Sequence, residues 1–254
     1  MIPRHIIITH FNIRWNVQNR NGLYKMFVNP PDKQWLEHRF ELFSKYTYPS
    51  VCAQTNQNFE WFVYFDPNNI NREALKRFPR ITPLFVPWYR LFDPRRDVIE
   101  KLIQHNLLSS NLITTNLDND DSLNIKYVEL IQNWCFEHKN IEGNFLIEFP
   151  MGLNFKHPEK QILILEEKYG HFMTMVESHN NQQNKRDLNF YQTIRCMDHR
   201  RLQNYSDAIW TPIKTDEPMW LQVCHDKNAK NSFVVGLPTE YGEKDIKRMF
   251  NVTI

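Results

Sequence analysis

Glycine is scarce in this chain: six occur among 254 residues, at 22, 143, 152, 170, 236 and 242, and they form neither G-x-G-x-x-G nor G-x-x-x-x-G-K. A dinucleotide fingerprint and a P-loop are thereby excluded as motifs, so any phosphate must be held by a cation, basic side chains or helix termini. Cysteine is rarer still. Cys52, Cys135, Cys196 and Cys224 stand far apart with no Cys-x-x-Cys pair, which argues against a disulfide framework or zinc cluster and predicts reduced, mostly buried thiols. No stretch reaches the roughly eighteen consecutive apolar residues of a membrane span, and Ile6-Ile7-Ile8 is too short for a signal-peptide core. A cytoplasmic protein without a transmembrane segment is expected, any membrane association being peripheral. Basic runs are missing too: a formal net charge of +2 with no long run of Lys or Arg gives no polyanion-binding field and argues against nucleic acid as a partner.

What is present is globular material, with 41% apolar, 14% aromatic and 24% charged residues. The length suits one large α/β domain, expected here to span 1–254. His5 to Thr9, Trp61 to Phe65, Ile81 to Val86 and Leu112 to Leu117 read as strands, the third near an edge because of Pro83. Helical spacing lies between them. Asp32 opens a segment in which Leu36, Phe40 and Phe43 share a face; Asp93 and Pro94 begin a second helix; Tyr127, Val128, Ile131, Trp134 and Cys135 mark a third. This alternation predicts a mostly parallel sheet, with ligands beyond the carboxyl ends of its strands, where Thr9, Asp66 and Asp118 fall. After residue 140 the spacing tightens: Asn144 to Phe149, Leu153 to Lys156, Gln161 to Glu166 and Phe172 to Val176 are short strands, most simply hairpins in a smaller β-rich part. Ser178 to Asp187 is almost wholly polar and reads as an exposed loop.

The densest chemical feature is Leu-Ile-Thr-Thr-Asn-Leu-Asp-Asn-Asp-Asp at 112–121, which delivers Asp118, Asp120 and Asp121 to one strand end. Like charges this close raise one another's pKa unless a cation compensates, so the cluster is a natural seat for a hard divalent metal. If the chain stays extended, Asp118 and Asp120 project to one side and Asp121 turns away. A purely local alternative is an Asx turn with a helix N-cap. An EF-hand loop would place Glu129 as its last ligand, but Leu123 occupies the glycine position.

The string WLEHRFELFSKYTYPSVCAQTNQNFEWFVYFD (35–66), with LITTNLDNDDSL (112–123) and PMWLQVCHDKNAKN (218–231), resembles the rhamnosyltransferase family of glycosyltransferases over most of the chain. That resemblance implies a GT-A-like, Rossmann-type nucleotide-sugar-binding fold, with a nucleotide-binding half over 1–140 and an acceptor-side half over 141–254. It also implies that Asp118 and Asp120 form a D-x-D pair holding Mn2+ or Mg2+ on the diphosphate of a nucleotide-sugar donor, with Asp121 beside them. His225 and Asn228 match a late H-x-x-N element, the histidine a further metal ligand and the asparagine a donor contact. Thr9 and Asn12 would border the nucleotide, with His10 where arginine is expected, and Asp66 would contact the base.

Glycosyl transfer needs stabilisation of a departing diphosphate, and an inverting enzyme also needs a carboxylate to take the acceptor's proton. Glu177 is the expected base, with Asp187, Asp198 and Asp216 as rivals. The expected partners are a nucleotide-diphosphate sugar, with rhamnose as one candidate sugar, and a glycan or surface-polysaccharide acceptor. Two other classes compete: a haloacid-dehalogenase-like phosphatase, through Asp118-x-Asp120-x-Ser122, and a non-catalytic calcium- or carbohydrate-binding module.

Overall fold

The computed structural model describes residues 4–13, 16–19, 22–25, 31–87, 100, 111–157, 159–168, 170, 172–178, 193–194, 208–225 and 236–254. Successive strand residues face opposite ways, so an unbroken apolar run such as Ile6-Ile7-Ile8 requires cover on both faces. Strand β1 (Arg4–His10) meets that requirement inside a seven-stranded sheet, with Ile7 in the core on one face and Ile6 and Ile8 in the core on the other. A short hairpin of β2 (Asn16–Asn19) and β3 (Gly22–Lys25) follows it.

Strand β4 (Glu60–Phe65) obeys the same rule: Trp61, Val63 and Phe65 enter one cluster, Phe62 and Tyr64 the other. It pairs in parallel with β1 and with β5 (Thr82–Phe85), the edge strand where Pro83 is tolerated. On the other side β1 pairs in parallel with β6 (Asn111–Asn116). The α/β class and the mainly parallel central sheet are therefore as expected.

The tight spacing beyond residue 140 resolves differently from a series of hairpins. Strands β9 (Met151–Lys156) and β10 (Gln161–Glu166) do form an antiparallel hairpin. By contrast β8 (Gly143–Glu148) and β11 (Met173–Ser178) enter the central sheet, β11 antiparallel between β6 and β8, with β12 (Ala208–Pro212) parallel to β8 at the far edge. The reason is again two-sided burial: Phe145 and Ile147 join one core cluster, Leu146, Met173 and Met175 the other.

A second sheet runs in the order β14 (Leu237–Pro238), β10, β9, β13 (Trp220–Cys224), β7 (Ser122–Leu123). Its β7 leaves the acidic turn directly, and β13 passes close to Gly152, where a Cβ would fall 2.0 Å from the Trp220 ring.

Helix α1 (Lys33–Leu42) begins at Asp32, whose carboxylate accepts from the Trp35 amide at 2.8 Å. It runs through a π-helical turn, Phe43–Thr47, into α2 (Tyr48–Cys52). Arg72–Leu75 is the short α3, α4 (Tyr127–Glu137) follows the acidic segment, and α5 (Glu243–Phe250) closes the second sheet's core. The helix expected from Asp93 lies outside the described residues apart from Glu100, as does all of the polar segment except Ser178. Of the described cysteines, all free thiols, only Cys135 is buried; Cys52 and Cys224 are intermediate. No described helix is long and apolar enough to cross a membrane.

The central sheet encloses a polar chain. His5 Nε2 lies 2.8 Å from Thr115 Oγ1, which lies 2.7 Å from Thr174 Oγ1, and the Tyr127 hydroxyl donates to the Phe172 carbonyl at 3.1 Å. Burial pushes the His5 imidazole down to about 3. It stays neutral in the fold while the unfolded chain takes up a proton below about pH 6.5, so its contribution is present above that pH and is lost as pH falls. The native chain should lose roughly 2–3 kcal/mol through this group between about pH 6.5 and 4.5. Urea unfolding of His5→Gln across that range should show a correspondingly flatter acid limb; parallel curves for variant and native would refute the assignment.

Candidate active site

The carboxyl ends of β1, β4 and β6 lie side by side, and the Leu117 amide still donates to the Ile8 carbonyl at 3.0 Å. Beyond that bond the extended geometry stops. Asn119 Nδ2 donates to the carbonyls of His10 (2.8 Å) and Phe11 (2.9 Å), which folds 118–121 into a turn against the end of β1. The expectation of an extended D-x-D with alternating side chains is corrected accordingly. Asp120 and Asp121 are both buried, and Asp118 is half-buried.

Two groups from distant parts of the chain converge on one oxygen of Asp120. Arg39 Nη1 donates to Oδ2 at 2.5 Å, and His225 Nε2 lies 3.0 Å from the same atom. An ionised carboxylate only accepts, so Nε2 carries the proton in this arrangement. Burial alone would raise the Asp120 carboxyl, but the Arg39 charge and the His225 contact outweigh it and hold the group below its ordinary range. Asp121 goes the other way. Burial, then the charges of Asp120 and Asp118, push it well above the carboxylate range, although its Oδ1 accepts from the Val223 amide at 2.8 Å.

Helix α1 supplies the side chains that sequence reasoning missed. Trp35, His38 and Arg39, at i, i+3 and i+4, share a face: the Arg39 guanidinium lies 4.9 Å from the Trp35 ring centre, and the His38 ring meets His225 edge-on at 5.2 Å. Arg39 Nη1 also donates to Asn119 Oδ1 at 3.1 Å. The available signal was a basic residue between Leu36 and Phe40 on an apolar stripe, where a charge needs a partner.

Other expected residues fall into place unequally. Asn12 and Asp66 meet: Asn12 Oδ1 accepts from the Asp66 amide at 2.9 Å and its Nδ2 donates to the Asn69 carbonyl at 3.1 Å. Asp66 Oδ1 accepts from the Asn68 amide at 3.1 Å, forming a turn. Thr9 is fully buried and its hydroxyl accepts from Trp61 Nε1 at 3.0 Å, so its side chain serves the core, correcting its expected place beside a nucleotide. Glu177 is also displaced. It sits opposite Leu112 at the start of β6, roughly 16 Å along the strand from Leu117, and accepts from the Thr193 amide at 2.9 Å. The antiparallel entry of β11 carries it away from the acidic turn, so it is not the base there. Glu129 accepts from the Thr55 hydroxyl at 2.5 Å, which leaves the EF-hand alternative without its last ligand. Asp187, Asp198 and Asn228 lie outside the described residues, and Asp216 is exposed. Among the described residues, no three His, Cys, Asp or Glu side chains are gathered closely enough to hold a metal ion.

A family profile described as "Putative rhamnosyl transferase" matches residues 27–236. No curated protein matches the chain. Among solved structures, S. aureus TarS 1-349 aligns over 87% of this chain and 60% of its own, with 11% identity and a TM-score of 0.44. The chain therefore spans about three fifths of that TarS fragment. A 4-diphosphocytidyl-2C-methyl-D-erythritol synthase aligns over 85% of this chain and 91% of its own (12% identity, TM-score 0.39). A CMP:2-keto-3-deoxy-manno-octonic acid synthetase in complex with CTP aligns over 86% and 92% (8% identity, TM-score 0.36).

Asn119 is the residue on which the turn's shape depends, because its amide makes three buried hydrogen bonds. Asn119→Leu should cost about 2–4 kcal/mol in urea unfolding, since it strands two carbonyls and one guanidinium donor. A change within about 0.5 kcal/mol would show that the turn is held by something else.

Proposed function

The chain belongs to the rhamnosyl transferase family of glycosyltransferases, and from that premise we propose that it is a metal-dependent, inverting enzyme. It would move a sugar such as rhamnose from a nucleotide-diphosphate donor to a glycan or surface-polysaccharide acceptor in the cytosol. The observation that carries this reading is the buried Asp120 carboxylate at the carboxyl end of β6, gripped by Arg39 and His225. In a mainly parallel sheet that is where ligands sit. A departing diphosphate accumulates negative charge, and positive groups fixed in advance at that point stabilise it.

The donor types fit a divalent cation. Asp118 and Asp120 offer carboxylate oxygens and His225 an imidazole nitrogen, donor types compatible with Mn2+ or Mg2+, and because these side chains are not gathered as a ligand set in this structure, binding would require them to draw together. When bound, the ion would act as a Lewis acid on the diphosphate. Because Nε2 has one site for either a proton or a metal, His225 would exchange its hydrogen bond to Asp120 for ligation. The nucleoside would lie near the ends of β1 and β4, where the buried Asn12 and Asp66 meet. Asn228 is retained as a donor contact from the H-x-x-N spacing.

Asp120→Asn keeps the size and part of the hydrogen bonding of the native side chain while removing its charge. Calorimetry of the full chain with a panel of nucleoside diphosphates and Mn2+ should give metal-dependent binding for the native protein and none for the variant. Turnover in a nucleotide-sugar hydrolysis screen should fall by roughly 10²-fold or more. Binding of the same strength with and without the carboxylate would overturn the metal reading.

A further inference from the structure

A buried carboxamide that bonds at neither end costs the fold stability, because it has given up its hydrogen bonds to water without replacing them. Among the described residues four asparagines are buried. Asn12, Asn119 and Asn124 each donate through Nδ2 and accept through Oδ1. Asn154 is the exception: it is 2% exposed, and neither its Nδ2 nor its Oδ1 has a hydrogen-bond partner.

The second sheet gives that amide a direction. Leu153 and Phe155 enter the apolar cluster beneath α5, so Asn154 between them faces the other way. That is the side on which a Cβ at Gly152 would meet the Trp220 ring. Asn154 pairs with Leu163 of β10 and with Gln222 of β13, and Gln222 shares its face. Solvent reaches this face beside it, because Gln222, Lys156 and Cys224 are each half-buried and Gln161 is exposed. Trp220 stacks 5.0 Å from Phe172, just before β11 and therefore at the end of the central sheet that carries the acidic turn. Gln222 adjoins Val223, whose amide donates to Asp121 Oδ1 at 2.8 Å. Two strand spacings of roughly 5 Å then put Asn154 about 10 Å from that turn.

Resting on the function proposed above, though not on the cation, we propose that Asn154 reads the transferred sugar, its carboxamide donating to one ring hydroxyl and accepting from the next. A carboxamide carries a donor and an acceptor side by side, the pattern that two adjacent hydroxyls of a sugar ring complement. A sugar joined to a diphosphate at the acidic turn lies within the interval that separates the turn from Asn154. Ends left unpaired in the free protein are accounted for when their partner arrives with the substrate. The amide is already desolvated, so a sugar lacking either hydroxyl leaves it unpaired and is rejected. Asn154 is in this sense a specificity-determining residue, with Gln222 beside it on the same wall.

The test is calorimetry on the full chain in Mn2+ buffer, with a panel of nucleoside diphosphates and the matching nucleoside-diphosphate hexoses and 6-deoxyhexoses. Native protein is compared with Asn154→Leu, which keeps the side chain's shape without its polar ends. The variant should hold the bare diphosphate within about twofold of native and bind the sugar conjugate about tenfold more weakly or worse. Its urea midpoint should rise, because the unpaired amide is gone. A carboxamide serving only the fold would behave in reverse, losing stability and leaving the conjugate's affinity alone. A native ratio of conjugate to diphosphate affinity in the variant overturns the inference and leaves the glycosyltransferase reading intact. A native chain that binds neither class of probe sinks both. If Asn154→Leu does not fold, Asn154→Ala decides by the same ratio, and an unchanged ratio there overturns the inference.

Discussion

A carboxylate taken out of water must be paired, and the pairing of Asp120 governs the architecture around it. Leaving it unpaired would cost several kcal/mol, so the fold has to bring a guanidinium and an imidazole to one oxygen. They come from opposite directions: Arg39 from the first long helix, His225 from just past β13 in the second sheet. The turn is fixed by Asn119 to the end of β1 and by Asp121 to β13. The acidic segment is consequently a knot joining both sheets and α1, and the rest of the site inherits its position from that knot.

The segment leaving the knot is fastened with comparable care. Ser122 donates to the Tyr46 carbonyl at 3.0 Å, the Leu123 amide donates to Ser50 Oγ at 3.3 Å, and Gln54 Oε1 accepts from the Val128 amide at the start of α4 at 3.0 Å. The π-helical turn between α1 and α2 lies in this region, where Tyr46 and Thr47 are fully buried. Helical irregularities of this kind are frequent at functional sites. Here the irregular stretch supplies the carbonyl that receives Ser122, two residues after Asp120.

Much of this was legible in the chain. Short β-branched, aromatic and apolar runs marked β1, β4 and β6 as strands of a mostly parallel sheet, Pro83 marked an edge, Asp32 marked a helix start, and the three aspartates marked an acidic cluster at the end of β6. The turn itself was not legible, because an extended and a folded D-N-D-D differ only in whether a distant backbone offers acceptors to Asn119. Glu177 misled for a related reason: its type and strand placement suited a base, yet the sense in which β11 enters the sheet carries it to the wrong end. Thr9 sits at the right end but on the face it shares with Ile7, where its hydroxyl is taken up by the Trp61 ring N–H.

Local physics is what the sequence settled alone: strand period, caps, the absence of glycine-rich phosphate loops, and an acidic cluster needing a counter-charge. Which counter-charges answer was decided only by tertiary structure. Arg39 and His225 lie 81 and 105 residues from Asp120 along the chain, and no periodicity spans such separations. Their meeting depends on strand order, on the sense of each pairing and on the second sheet's contact with the turn, all of which are fixed by simultaneous burial of many faces and by no single segment's preference.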